Sequence, residues 1–177
     1  MKKELREEYI NKFNDLAKFA ADNNLGDIFS YARSKEVLVT CILGHTVANG
    51  YSGADAFNKD GQPVEYKSTI DKNPKGAYTG ISVQPSWEDQ VAYLREEKIG
   101  KYSEHYYNRF SRETGVLEES WKLTGEKVLE LLLPKLERKF ATQLTKKDPR
   151  LNANITWTNL KQFGEQVYCR NEKRQTL

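Results

Sequence analysis

Cysteine and histidine are scarce in this chain, and their scarcity removes whole classes of site. The 177 residues hold two cysteines, Cys41 and Cys169, far apart in sequence. They supply neither a disulfide framework nor the paired spacing of a metal cluster. Two histidines, His45 and His105, are too few for a histidine-rich zinc site. Long apolar runs are lacking as well: none approaches the ~20 residues needed to cross a bilayer. The stretch Met1–Glu8 is too charged, and has no apolar centre, for a signal peptide. No membrane partner is expected, and a cytoplasmic location is the expectation. Low-complexity linkers and internal repeats are also missing, so residues 1–177 are expected to form a single domain.

What is present fits a soluble, polar globule with a real core: 38% of residues are hydrophobic and 30% charged. The net charge is only +3, but it is uneven. From Lys135 to Leu177 there are ten Lys/Arg against four Asp/Glu, a net of +6, while the rest carries 18 against 21, a net of −3. A basic C-terminal quarter beside an acidic centre suits a polyanionic partner. A merely solvated basic tail is the other reading.

Taken in order, Lys3 to Asp22 reads as an amphipathic helix, with Tyr9, Phe13, Leu16, Phe19 and Ala20 at three- and four-residue steps. Asn23-Asn24-Leu25-Gly26 ends it, with Asn or Gly for a left-handed cap. Ser34 to Gly44 is a nearly continuous apolar run that reads equally as a buried helix, with Ser34 as N-cap, or as a strand. Gly44 and Gly50 bracket a loop, and Ser52 leads into a strand over Gly53–Phe57. The turn Asn58-Lys59-Asp60-Gly61 joins this to a second strand over Val64–Ser68. Ala77 to Pro85 is small and polar. Pro85-Ser86-Trp87-Glu88 starts a helix running to about Glu97. Glu104–Ser111 and Gly115–Leu123 form a hairpin, and Thr124 caps a helix that Pro134 interrupts or kinks. Thr145 to Arg150 is a loop, and a last helix carries Trp157, Leu160, Phe163 and Val167 before a short polar tail. The pattern is α+β, built on a mixed β-sheet flanked by helices.

The chemistry-bearing residues sit on the paired strands. In a strand the side-chain period is two, so Glu65 and Lys67 project from one face. Pairing brings Asp55 beside them. Two carboxylates and an ammonium then converge, which is the constellation of a metal-dependent phosphodiesterase, because Mg²⁺ takes one or two carboxylates and leaves its other positions to water and phosphate. A structural salt-bridge cluster is the competing reading. Glu96-Glu97-Lys98, with Asp89 upstream, matches the same loose pattern but lies in a charged, helix-like stretch and reads as a solvated face.

Asp55…Glu65-Tyr66-Lys67 resembles the PD-(D/E)xK nuclease signature, with Ala54 where that pattern usually has proline. The order Leu25-Gly26-Asp27-Ile28-Phe29, the apolar run to Gly44, Ser52–Ala56 and Glu65–Ser68 is similar to the PvuII-type type II restriction endonucleases. Weaker similarity extends over most of the chain. The resemblance implies a restriction-endonuclease-like fold, with about 1–35 (the N-terminal helix) in dimerisation and about 36–177 as the catalytic and DNA-recognition core. It implies a homodimeric, Mg²⁺-dependent site-specific deoxyribonuclease that cuts both strands of double-stranded DNA and leaves 5′-phosphates. Asp55 and Glu65 would bind the metal, with Tyr66 completing a ligand position through its carbonyl. Lys67 would be the catalytic lysine, Tyr93 an active-site tyrosine, and Asp27 a residue near the minor groove. The family's consecutive base-reading histidines are replaced here by Thr79-Gly80-Ile81-Ser82. Tyr78, Thr79, Ser82 and Gln84 are then the candidates for DNA contacts, since hydroxyls and amides can read base edges; an ordinary polar loop is the alternative. Another nuclease of the same superfamily, or a non-catalytic dimeric DNA-binding protein, fits the same residues.

Overall fold

The computed structural model describes residues 3–30, 32–49, 53–143 and 146–170. Gly50, Ser52, Thr145 and the polar tail lie outside the described residues.

Helix α1 (Lys3–Asp22) closes on Asn24 at φ 55°, where the Asn24 N–H bonds Ala21 O at 3.2 Å and the Leu25 N–H bonds Ala20 O at 2.9 Å. This double closure satisfies the last carbonyls of the helix, and asparagine tolerates the left-handed turn it needs. The apolar run is helix α2 (Arg33–Leu43), ended by Gly44 in the left-handed conformation. Its N-cap position is Ala32, with no side-chain cap, so Ser34 lies inside the first turn instead of capping it.

Strands β1 (Thr46–Val47), β2 (Ala56–Phe57) and β3 (Pro63–Thr69) follow; the regular part of the first expected strand is only its last two residues. Next come β4 (Gly76–Ser82), where the sequence shows only a small, polar stretch, and α3 (Trp87–Tyr93), capped by Ser86. A π-helical turn (Leu94–Lys98) replaces the end of the expected helix. The hairpin is β5 (Glu104–Phe110) and β6 (Leu117–Thr124). Helix α4 (Gly125–Gln143) begins with the Lys127 N–H on Thr124 Oγ1 at 3.2 Å and runs unbroken through Pro134, which is exposed. The remaining elements are β7 (Arg150–Ile155), α5 (Trp157–Phe163) and β8 (Glu165–Cys169). Arg150 therefore starts a strand instead of ending a loop, and Val167 belongs to a strand because Gly164, in extended conformation, has already stopped the helix.

Six strands form one sheet in the order β1-β2-β3-β5-β6-β8, with only β3 and β5 parallel; β4 and β7 form a separate antiparallel pair. Tyr106 and Tyr107, adjacent on β5, project to opposite faces and belong to different cores. On one face Val39 of α2 packs with Val64, Tyr66, Tyr106, Phe110 and Leu117. On the other, Tyr107 joins Leu132 and Leu136 of α4, Ile81 of β4 and Leu151 and Ile155 of β7. The α+β class with a mixed, mostly antiparallel sheet flanked by helices is thus as expected. No helix of the described residues is long and apolar enough to cross a membrane.

Candidate active site

Pairing of β2 with β3 sets the geometry. The Asp55 N–H donates to Val64 O at 3.1 Å, one residue before β2 becomes regular, and the Tyr66 N–H donates to Asp55 Oδ2 at 2.6 Å. Asp55 is thereby bound to the backbone between Glu65 and Lys67. Those two side chains share the face of β3 opposite Val64 and Tyr66, and Lys67 Nζ is ion-paired with Glu65 Oε1. The Lys67 ammonium also stands 5.1 Å from the centre of the Tyr78 ring. Close approach of β4 depends on Gly76: a Cβ there would lie 2.5 Å from Tyr107 Cε1 and 3.0 Å from Lys67 Cγ.

Electrostatics at this place are strained. Burial pushes the Asp55 carboxyl up from 3.8 to about 7, with Glu65 and Glu36 adding repulsion against the Tyr66 N–H and Lys67, which hold it down. Glu36 of α2 is itself raised, first by burial, and its Oε2 lies 3.6 Å from Arg33 Nη1. It is a third acid near the pair that nothing in the sequence pattern marks. Among the described residues no group of three or more His, Cys, Asp or Glu side chains is placed to hold a metal ion. Two carboxylates with hard oxygen donors nevertheless meet what Mg²⁺ asks of a protein, and a cation between Asp55 and Glu65 would relieve the repulsion that raises Asp55. The donor set fits.

Glu65 and Lys67 open on a cavity of about 290 Å³, shared with Tyr78, Thr79, Lys98, Lys101 and Tyr102. The Tyr102 hydroxyl donates to Gly53 O at 2.9 Å and is pushed above its ordinary range, first by burial and then by Glu65 and Asp55. Beneath the cavity runs a buried polar chain. A backbone carbonyl only accepts, so His105 Nε2, 3.0 Å from Ile99 O, carries the ring proton. His105 Nδ1 then accepts from the Tyr78 hydroxyl at 2.8 Å, which in turn accepts from the Tyr107 hydroxyl at 2.8 Å. Burial lowers His105 from 6.5 to about 4.

The other expected residues are spread more widely. The Tyr66 ring lies in the α2-side core, its hydroxyl 2.7 Å from His45 Nδ1. Tyr78 is buried with its hydroxyl engaged in the chain just described, and Thr79 is its exposed neighbour. Ser82 Oγ accepts from Arg150 at 2.8 Å, and the Gln84 N–H bonds Gln90 Oε1 at 3.0 Å. Tyr93 packs against the α4-side core and does not line the cavity; its ring stands under Lys98 Nζ at 5.9 Å. Asp27 is outside this site. Its Oδ1 accepts from the Phe29 N–H at 3.0 Å and its Oδ2 from the Ser30 hydroxyl at 2.5 Å, beside a larger cavity of about 860 Å³ that contains neither Asp55 nor Glu65. The sequence reading misses Lys98 and Lys101 at the cavity and Arg150, Asn152 and Asn154 on β7. The strict alternation of β7 is a signal that would find the latter three. Compared with protein-family models and with curated proteins, the chain matches none.

Proposed function

We propose that this chain is a Mg²⁺-dependent endonuclease of double-stranded DNA with a restriction-endonuclease-like core, working as a homodimer on a short symmetric site. The observation that carries this reading is the convergence on one sheet face of Glu65 and Lys67, with Asp55 tied to them through the Tyr66 N–H. Asp55 and Glu65 would hold the ion, with the Tyr66 carbonyl as a further donor. Bound there, Mg²⁺ supplies positive charge against the charge that develops as a phosphodiester is attacked. Lys67 orients the attacking water, donating to its oxygen and favouring loss of its proton to solvent, from which the leaving 3′ oxygen takes up a proton. Attack in line on phosphorus breaks the bond to the 3′ oxygen, leaving 5′-phosphate and 3′-hydroxyl ends.

Recognition falls to the β4–β7 pair. A two-stranded ribbon fits the major groove, where asparagine pairs with adenine and arginine with guanine. The exposed residues of this ribbon include Thr79, Arg150, Asn152 and Asn154. Phe13, Phe19 and Tyr9 leave an apolar stripe of α1 exposed, which suits pairing of two copies. A symmetric dimer presents one ribbon to each half of a palindrome.

The ion pair of Lys67 with Glu65 supports a second reading, a structural cluster in a dimeric DNA-binding protein without catalysis. Digestion of plasmid DNA with Mg²⁺, followed by sequencing of the ends, separates the readings. One short palindrome at every end is expected. A smear or a preference for branched DNA points to another nuclease activity, and tight binding indifferent to Mg²⁺ without cutting points to the non-catalytic protein.

A further inference from the structure

Three lysines reach the cavity beside Glu65, and each ammonium stands over a tyrosine ring. Lys67 lies 5.1 Å from the Tyr78 centroid, Lys98 5.9 Å from Tyr93 and Lys101 4.9 Å from Tyr102. Lys67 is also ion-paired with Glu65, whereas Lys98 and Lys101 are exposed and no carboxylate of the described residues is ion-paired with either. A ring face attracts a cation through its quadrupole and leaves its charge intact. The cavity is lined by a single carboxylate, Glu65, which already faces Lys67, so the remaining two cations are available to an anion.

Their position is built into the backbone. The π-helical turn ends at buried Ile99, and the N–H groups of Ile99 and Gly100 both reach Leu94 O, at 2.8 and 3.0 Å. A side chain at Gly100 would meet Arg95 O at 2.5 Å, and the Ile99 carbonyl is held by buried His105. Ile99 is thus fixed in the core, and the lysines flanking it are carried to the cavity mouth. Single π-helical turns recur at functional sites. The acidic neighbours Glu96 and Glu97 do not line the cavity.

We propose that Lys98 and Lys101 form a phosphate clamp for the strand being cleaved, binding backbone phosphodiester oxygens next to the bond that Lys67 and Glu65 address, with Tyr93 and Tyr102 as positioning residues. The clamp rests on the nuclease reading. It gives Tyr93 a role through its ring and not through its hydroxyl.

The test is the salt dependence of kcat/KM on supercoiled plasmid with Mg²⁺, read together with the salt dependence of binding to a labelled mixed-sequence duplex in EDTA. Each phosphate contact contributes a slope of about 0.9 in log–log form. Lys98→Gln with Lys101→Gln removes two contacts from each protomer of the dimer and should flatten both slopes by about 4, raise KM more than it lowers kcat, and leave the unfolding temperature unchanged. The double arginine variant should restore the slopes. Tyr93→Leu should resemble Lys98→Gln, and Tyr93→Phe, which keeps the ring under Lys98, should lose less than Tyr93→Leu. Wild type that cuts, with the double glutamine variant keeping its slopes and KM, overturns the clamp alone. Equal losses in Tyr93→Phe and Tyr93→Leu overturn the positioning role of the ring. Wild type that binds without cutting overturns the nuclease reading and the clamp with it. Wild type that neither binds nor cuts overturns both.

Discussion

Asp55 and His105 show how burial sets charge in this molecule. Asp55 is raised from 3.8 to about 7, first by burial. A carboxyl with a raised folded-state value binds its proton more tightly when folded, so its favourable contribution is present below the ordinary value and is lost as pH rises from about 4 to 7. Asp55→Asn has no charge to bury. At pH 8 without divalent ions it should unfold at a higher temperature than wild type, with the gap narrowing at pH 5 and closing below about pH 4, while Mg²⁺ should raise the wild type and not the variant. An Asp55→Asn protein no more stable than wild type at pH 8 would refute this. His105 works in the opposite direction: it is lowered from 6.5 to about 4, so the stability it contributes is present above 6.5 and is lost as pH falls towards 4. The loss is on the order of 3 kcal/mol. Urea titrations at pH 7 and pH 4.5 should show a smaller difference for His105→Gln than for wild type, and an equal difference would contradict this origin. Asp55, Glu65 and Lys67 are legible in the sequence because alternation and a polar turn suffice to place them. Lys98 is not, because its route to the cavity depends on a π-helical turn that leaves no period in the sequence.

Elements differ in how plainly the sequence announces them. Helix α1 matches the expected span, and the left-handed asparagine after it is legible because that role falls to few residue types. Strand β7 alternates buried Leu151, Ala153 and Ile155 with exposed Arg150, Asn152 and Asn154, a strand-period signal that its asparagines and alanine, poor strand formers, weaken. Tertiary pairing with β4 decides the matter. Strand β8 is obscured in another way: Val167 continues the apolar spacing of α5, and only the extended Gly164 breaks it. Helix α4 tolerates Pro134 because the residue is exposed and the helix is held by Val128, Leu132, Leu136 and Phe140 on its buried side. The exposed stripe of α1 leads to a direct expectation. Tyr9 is 64% and Phe19 57% accessible, too much apolar surface for a helix whose work is only to cover its own core. Sedimentation should show a dimer for wild type and a monomer for Phe13→Ser with Phe19→Ser; a monomeric wild type would rule out this use of the helix.

Across the whole molecule, the sheet separates two cores and leaves the acids and lysines on the face that also receives β4 and β7. The α+β class is legible because the strand-period segments come in hairpins joined by short turns, with the helix-period segments set apart from them. The division into a six-stranded sheet and a separate pair is not, because strand order comes from long-range pairing such as Ala77 with Asn154. The uneven charge of the sequence acquires a location. Lys135 Nζ bonds Asn154 O at 2.8 Å and Lys139 Nζ bonds Asn152 O at 2.8 Å, so part of the basic C-terminal quarter lies along the outer edge of the proposed reading ribbon. That arrangement places positive charge beside the strands that would enter a groove and Glu65 at the cavity behind them. The central claim, that Glu65 and Lys67 act on a phosphodiester with Mg²⁺, is tested most directly by plasmid cleavage under single-turnover conditions. Wild type should give discrete fragments with 5′-phosphates only when Mg²⁺ is present, and Lys67→Ala and Glu65→Ala, each folded, should be slower by at least ~100-fold. No cleavage by wild type with any divalent ion, or cleavage at the wild-type rate by Lys67→Ala, would contradict it.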